Sequence, residues 1–209
     1  MTDPRVLGSD DPGAIEAAVA SILGGGLVGI PTETVYGIAV LPREDRLEAL
    51  LDAKRRPPEK GIQLIIDGLD QVAALVLVPP AAHRLVARFW PGALTLALPL
   101  LPGVVLPELL TGGRPTLGVR LPDHAVPRAI ARRAGPIAVS SANVSGEPPA
   151  VDVPSLLAAV GSSLSVVIDD GPVRGGVAST VVGIGADGGL TFYRIGALPE
   201  DVVREALLD

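Results

Sequence analysis

The sequence predicts a single α/β (α+β) domain built on a mixed β-sheet flanked by helices. Strand-like apolar runs alternate with helical patterns early in the chain, and β segments adjoin late. A length of 209 residues with 48% hydrophobic content suffices for one large core. No internal repeat, low-complexity tract or linker divides the chain, so residues 1–209 are read as one domain.

In order along the chain, Asp11 is expected to cap a first helix, with Pro12 at its first position. Ile15, Ala18, Val19, Ile22 and Leu23 recur at helical spacing, and three glycines at 24–26 stop the run. Residues 27–30 form a short buried strand. A second helix spans about 43–54 with Leu47, Leu50 and Leu51 on its inner stripe. The same spacing turns Lys54 along the protein body rather than into water, and Pro57-Pro58 is expected to end the helix.

Residues 61–66 read as a strand, 69–77 and 80–89 as helices, and 93–98 as a strand followed by a loop. A strand at 116–121, a helix at 125–134 and a strand at 136–140 come next. A helix near 154–160, strands near 165–168, 179–184 and 189–194, and a helix from about Pro199 complete the order.

Composition excludes several chemistries. There are no cysteines, which removes disulfides, thiolate metal sites and cysteine nucleophiles. Of two histidines, His83 reads as a surface residue and His124 as close to a helix start, and no HExxH, DxDxDG or GxSxG pattern occurs. The net charge of -6 argues against a generic nucleic-acid binder, although five arginines against one acid between Arg114 and Arg133 allow a local positive face. The N-terminus has no secretory pattern and prolines break the longest apolar tract, so a cytoplasmic protein without membrane contact is expected.

Five segments concentrate polar chemistry beside apolar runs. PTETVYG (31–37) sets hydroxyls, a carboxylate and an aromatic after a strand, where open α/β sheets bind ligands; a capped turn is the alternative. KRRPPEK (54–60) holds both lysines of the chain together with two arginines, which points to an anion, polyphosphate first, or else to a solvated helix end. TLGVRLP (116–122) ends a strand on Arg120. SSANVSGEPP (140–149) offers small hydroxyls, an amide and a glycine. Ser179-Thr180 and Arg194-Ile195-Gly196 flank the last strands. Phe89-Trp90-Pro91-Gly92 reads as a packed corner rather than a base-stacking platform.

Taken together, PTETVYG, KRRPPEKG before an apolar strand, FWPGALT, TLGVRLPDH, SSANVSGEPP, the ST pair and RIG resemble the YrdC-like family of threonylcarbamoyl-AMP synthases. The motifs run in order from about Leu27 to Gly196, within a motif-bearing region of about 12–196. The resemblance implies a twisted mixed sheet with a concave positive face, in the short single-domain form, since relatives with an extra C-terminal domain are longer. It implies the reaction of L-threonine, bicarbonate and ATP to threonylcarbamoyl-AMP and pyrophosphate, with Mg²⁺ accompanying ATP. A tRNA threonylcarbamoyl transferase complex would then take the product to adenosine 37 of tRNA.

The resemblance also assigns residues. Thr32, Arg120 and Ser141 are expected at L-threonine. Lys54, Arg56, Lys60, Thr116, Asn143, Ser179 and Arg194 are expected at the nucleotide, with Lys54 and Arg56 as the catalytic pair, and no metal-ligating residue is assigned. Lys60-Gly61 replaces a proline-containing version seen in many relatives. Lys54→Ala and Arg56→Ala are each expected to cut turnover by orders of magnitude with the fold intact. The rival readings are an RNA-binding module of the same fold, with tRNA or double-stranded RNA on the positive face, and a paralogue that forms a different carbamoyl-adenylate.

Overall fold

A computed structural model describes residues 3–185 and 187–208. Among these residues ten strands form one sheet: β1 (Arg5–Gly8), β2 (Val28–Ile30), β3 (Gly37–Val40), β4 (Gln63–Ile65), β5 (Leu94–Pro99), β6 (Thr116–Arg120), β7 (Ile137–Ser141), β8 (Val166–Asp169), β9 (Thr180–Ile184) and β10 (Leu190–Arg194). Among the described residues seven α-helices accompany them: α1 (Ala14–Leu23), α2 (Glu44–Lys54), α3 (Pro80–Phe89), α4 (Glu108–Thr111), α5 (Ala125–Ala134), α6 (Val153–Val160) and α7 (Glu200–Glu205). The strand order is β1-β8-β2-β3-β7-β4-β6-β5-β9-β10. The sheet is mixed, with β4 parallel to β6 and β5 to β9, and β3, β4 and β7 paired antiparallel. None of the helices among the described residues is long and apolar enough to cross a membrane.

Successive side chains of a strand point to opposite faces, and the two faces of this sheet are covered unequally. On one face, α2 contributes Leu47, Leu50 and Leu51, α3 Ala81, Ala82 and Leu85, α6 Val153, Leu156 and Val160, and α7 Val203. They meet Ile38, Leu64, Leu96, Leu117, Val119 and Val182 from across the sheet. Burying each such leucine stabilises the fold by about 1.5–3 kcal/mol. On the other face, α1 and α5 cover only the half that carries Val28, Ile30, Ala39, Ile137, Val139 and Ile168. The remaining half of that face, over β4, β6, β5 and β9, is open and forms the floor of a cleft.

Most expected elements are present, with informative differences. Asp11 does not cap α1: its carboxylate accepts from Gly8 N at 2.7 Å, and Gly13 precedes the helix with φ 87°. The helix expected over 69–77 shrinks to a 3₁₀ turn at Leu69–Val72. Beyond it, Leu77 N donates to Pro99 O at 2.8 Å and Val76 bridges Leu100, so the end of β5 captures the backbone. The stretch after β5, expected as loop, contains α4. The short strands β1 and β3 were not anticipated; each has only four residues and owes its form to neighbouring strands.

The turn after α2 also differs. The helix stops at Lys54, before the prolines, because Arg55 adopts the left-handed conformation (φ 48°) that glycine usually supplies at such caps. Holding a non-glycine residue there costs on the order of 1 kcal/mol. The sharp turn lets Lys54 enter the body of the protein while Arg56, two residues on, reaches the cleft.

Candidate active site

The cleft holds about 480 Å³ and lies across the open face of the sheet rather than only at strand ends. From the expected set, Arg56, Lys60, Thr116, Arg120, Ser141, Ser179 and Arg194 line it. Among its described lining residues there are five cations, Arg56, Lys60, Arg114, Arg120 and Arg194, and no carboxylate.

Three of these guanidiniums are fixed from behind. Arg120, 2% exposed, donates from Nε to Gly92 O at 3.0 Å and from its terminal nitrogen to Glu33 Oε1 at 2.8 Å and Thr34 Oγ1 at 3.0 Å. Arg194 donates to Ser179 O at 2.9 Å and Ser179 Oγ at 3.2 Å. Arg56 bonds the carbonyls of Lys60 and Gly61, the latter at 3.0 Å, while its Nε is buried without a partner among the described residues. Burial first, and then the charge of Arg194, lowers the Arg56 guanidinium below its usual pKa. Burial and then Arg120 do the same to Arg194. Arg120 is likewise lowered by burial, opposed by Glu33. These three guanidiniums are desolvated, and Arg194 stands between two like charges, Arg56 and Arg120, so an anion placed among them is favoured.

Lys54, Asn143 and Thr32 do not line this cleft; they hold its walls. Lys54, 1% exposed, donates to Ser141 O, to Asn143 O at 2.7 Å and to Asn143 Oδ1 at 3.0 Å, and its own carbonyl accepts from Ser145 N at 2.8 Å. Asn143 spends its amide on Val144 O and Glu147 O, and Ser141 Oγ donates to Asn143 Oδ1 at 2.6 Å. Thr32 Oγ1 donates to Val35 O at 2.6 Å and accepts from Val35 N at 3.1 Å, the capped-turn arrangement. Below this turn Tyr36 OH donates to Gly171 O at 2.8 Å, and burial pushes its phenol up to about 12. Thr32 and Glu33 face a second cavity of about 380 Å³, on the far side of the Arg120–Glu33 pair from the cleft.

Burial first, and then the Arg56 charge, push the Lys54 ammonium down to about 7. The surrounding acceptor oxygens pull the other way, because only the ammonium has three donors. The stability consequence has a definite sign. Above about pH 7 the folded chain releases a proton that the unfolded chain keeps until about 10.4. Stability is therefore expected to rise with pH between those values, by up to about 1.4 kcal/mol per unit from this group. Urea unfolding at pH 7 and pH 9 checks this: Lys54→Met should flatten the rise, and equal slopes in the two proteins would exclude Lys54 as its source.

Not all arginines of the 114–133 stretch serve the cleft. Arg128 and Arg132 grip Asp67 at 2.9 and 2.7 Å, and Arg133 pairs with Glu16. Asp67 is held below the usual carboxylate range, chiefly by the hydrogen bond from Arg132. Arg114 and Arg120 stay at the cleft, Arg114 with its guanidinium over the Tyr193 ring at 5.7 Å. The Trp90 corner is packed as expected, its Nε1 donating to Leu94 O at 2.7 Å.

Residues 20–196 match the model of the Sua5/YciO/YrdC family, which carries the description telomere recombination. The chain belongs to the Sua5/YciO/YrdC family. It is 35% identical to the threonylcarbamoyl-AMP synthase of Bacillus subtilis (strain 168), over 92% of this chain and 58% of that protein. It is 40% identical to a putative threonylcarbamoyl-AMP synthase of Mycobacterium leprae, over 80% of this chain and 76% of that one. The structure of Pyrococcus abyssi Sua5 complexed with L-threonine superposes with a TM-score of 0.89 at 32% identity, covering 98% of this chain and 61% of that one. The chain thus spans less than two thirds of the Bacillus and Pyrococcus relatives.

Within this Sua5/YciO/YrdC member, sequence reasoning missed Glu33 as the counter-charge of Arg120, Thr34 as its acceptor, Arg114 and Tyr193 at the rim, and Gln63 and Thr95 on the floor. Gln63 and Thr95 left a signal: each is a lone polar residue at an alternate position of an otherwise apolar strand.

Proposed function

We propose that this protein is a threonylcarbamoyl-AMP synthase that joins L-threonine, bicarbonate and ATP. The observation that carries the reading is the trio of Arg56, Arg120 and Arg194, desolvated on one cleft whose described lining residues include no carboxylate. The names of the relatives and the threonine held by the Pyrococcus protein support it.

In this reading Arg120 takes the threonine carboxylate, with its other bonds to Glu33 and Thr34 keeping the fork in place. The threonine amine bonds to the bicarbonate-derived carbon with loss of water, giving a carbamate. A carbamate oxygen attacks the α-phosphorus of ATP, the bond to the bridging oxygen breaks, and pyrophosphate leaves. Arg56 and Arg194 offset the charge on the phosphates, with Lys60 and Thr116 as further donors; positioning and electrostatics do the work and no protein nucleophile is needed. Lys54 and Asn143 act by holding the loop that presents Ser141. The lining donors are guanidiniums, hydroxyls and amides, a set suited to phosphate oxygens rather than to a bare divalent cation. Mg²⁺ therefore arrives and leaves on ATP as part of the substrate. The product would pass to a transferase complex acting on tRNA.

Pyrophosphate release from Mg²⁺ and ATP tests the proposal, with L-threonine and bicarbonate left out in turn. Release is expected only with both present. Release indifferent to threonine would overturn the reading and point to another acyl acceptor.

A further inference from the structure

The cleft floor contains a hydrogen-bond chain whose direction is fixed at one end. Arg194 can only donate, and it donates to Ser179 Oγ at 3.2 Å. Ser179 Oγ in turn lies 2.9 Å from Thr95 Oγ1, a contact that either hydroxyl could donate. Thr95 gives its single hydroxyl proton to Gln63 Oε1 at 2.6 Å, so the bond between the two hydroxyls is donated by Ser179. Ser179 and Thr95 are 2% and 1% exposed, so water does not compete for these bonds. The three donors run in a row and end on the Gln63 amide oxygen, which faces Thr95. Its Nε2, with two N–H groups, has no protein partner among the described residues, and Gln63 lines the cleft.

Gly118 borders the same part of the floor. A Cβ at Gly118 would stand 3.4 Å from Gln63 Cβ and 3.8 Å from Thr95 Cγ2. In the sheet, Gln63 pairs with Val139, while its neighbour Ile65 pairs with Arg120. Gln63 thus lies on the same face of the sheet as Arg120, one alternation away along the strand. A neutral double donor on the floor of a cleft lined by guanidiniums matches an oxyanion.

We propose that Gln63 Nε2 donates to a phosphate oxygen of the bound nucleotide, oriented by the one-way chain from Arg194 through Ser179 and Thr95. This rests on the reading of the cleft as a nucleotide site, and it adds Gln63 as a specificity residue and Thr95 as a positioning residue. Gln63→Glu keeps the shape but replaces the donor with a like charge. Thr95→Val removes the proton that locks the amide and keeps the volume, and Thr95→Ser restores that proton.

Calorimetric titration of the full chain with inorganic pyrophosphate, and with ATP and Mg²⁺, tests it, with thermal unfolding run alongside. Gln63→Leu is expected to weaken both ligands about ten- to a hundredfold, the loss of a hydrogen bond to a charged group, and Gln63→Glu to weaken them further. Thr95→Val should weaken binding several-fold, with recovery in Thr95→Ser, a rescue that a purely packing role would not give. Folded Gln63→Leu and Gln63→Glu proteins that bind within twofold of the parent would overturn the proposal. A parent chain that binds neither ligand would overturn it together with the synthase reading. Binding without threonine-dependent pyrophosphate release would remove only the synthase reading.

Discussion

Arg56→Ala is expected to lower pyrophosphate release by about two to three orders of magnitude while leaving the unfolding transition nearly unmoved. The size follows from losing one preorganised donor at the charge that builds on the phosphates, on the order of 3–4 kcal/mol of barrier. The small stability effect follows from the ligand-free geometry. Arg56 bonds two carbonyls, but it keeps an unpaired Nε and repels Arg194, so its removal relieves about as much as it costs. Arg56→Lys should not restore activity, because a point charge cannot reproduce a fork already committed to Gly61 O. Steady-state release and a urea titration on the same preparations give the answer. Turnover above a tenth of the parent rate in Arg56→Ala would take the residue out of the reacting centre.

Lys54→Ala is expected to cost both activity and stability, where the sequence alone led to an intact fold. The side chain is buried and ties residues 141–143 to the end of α2, with Ser145 joined to the same helix end through the backbone. Truncation leaves a cavity and strands the acceptors on Asn143, a loss of about 2–4 kcal/mol. Turnover should fall with it, because Ser141 is displaced from the cleft. Protease cleavage within 141–149 should quicken in the variant. An inactive Lys54→Ala protein of unchanged stability and unchanged protease resistance would mean that the lysine serves the ligand directly rather than the loop. The paired outcome, one neighbour of Arg55 needed for chemistry alone and the other for chemistry and folding, separates the two halves of the KRR sequence.

How far the sequence carried depends on the range of the interaction involved. Helix α5 was readable because its apolar spacing and start signal are local. The inward direction of Lys54 was readable because Leu47, Leu50 and Leu51 fix the face one turn earlier. What Lys54 holds was not readable, since its partners lie 87 and 89 positions away along the chain. For the same reason Glu33 looked like a turn former until Arg120 stood beside it. Cleft residues from β4, β6, β7 and β9 met only once strand order was known, and pairing of strands so far apart in the chain leaves no local trace. The motifs compensated in part, by marking segments without saying which side chains faced the ligand and which stood behind.

The half-covered sheet also bears on how such a protein can change. Along β6, residues 116, 118 and 120 face the cleft, while 117 and 119 belong to the core. Two messages are interleaved on one strand, one written in odd positions for folding and one in even positions for recognition. Substitutions in the second can accumulate without disturbing the first, so a lineage can retune what it binds while its scaffold stands still. The restriction is equally plain: a one-residue slip of a strand would exchange the two messages, so insertions belong in the loops and recognition evolves by replacement.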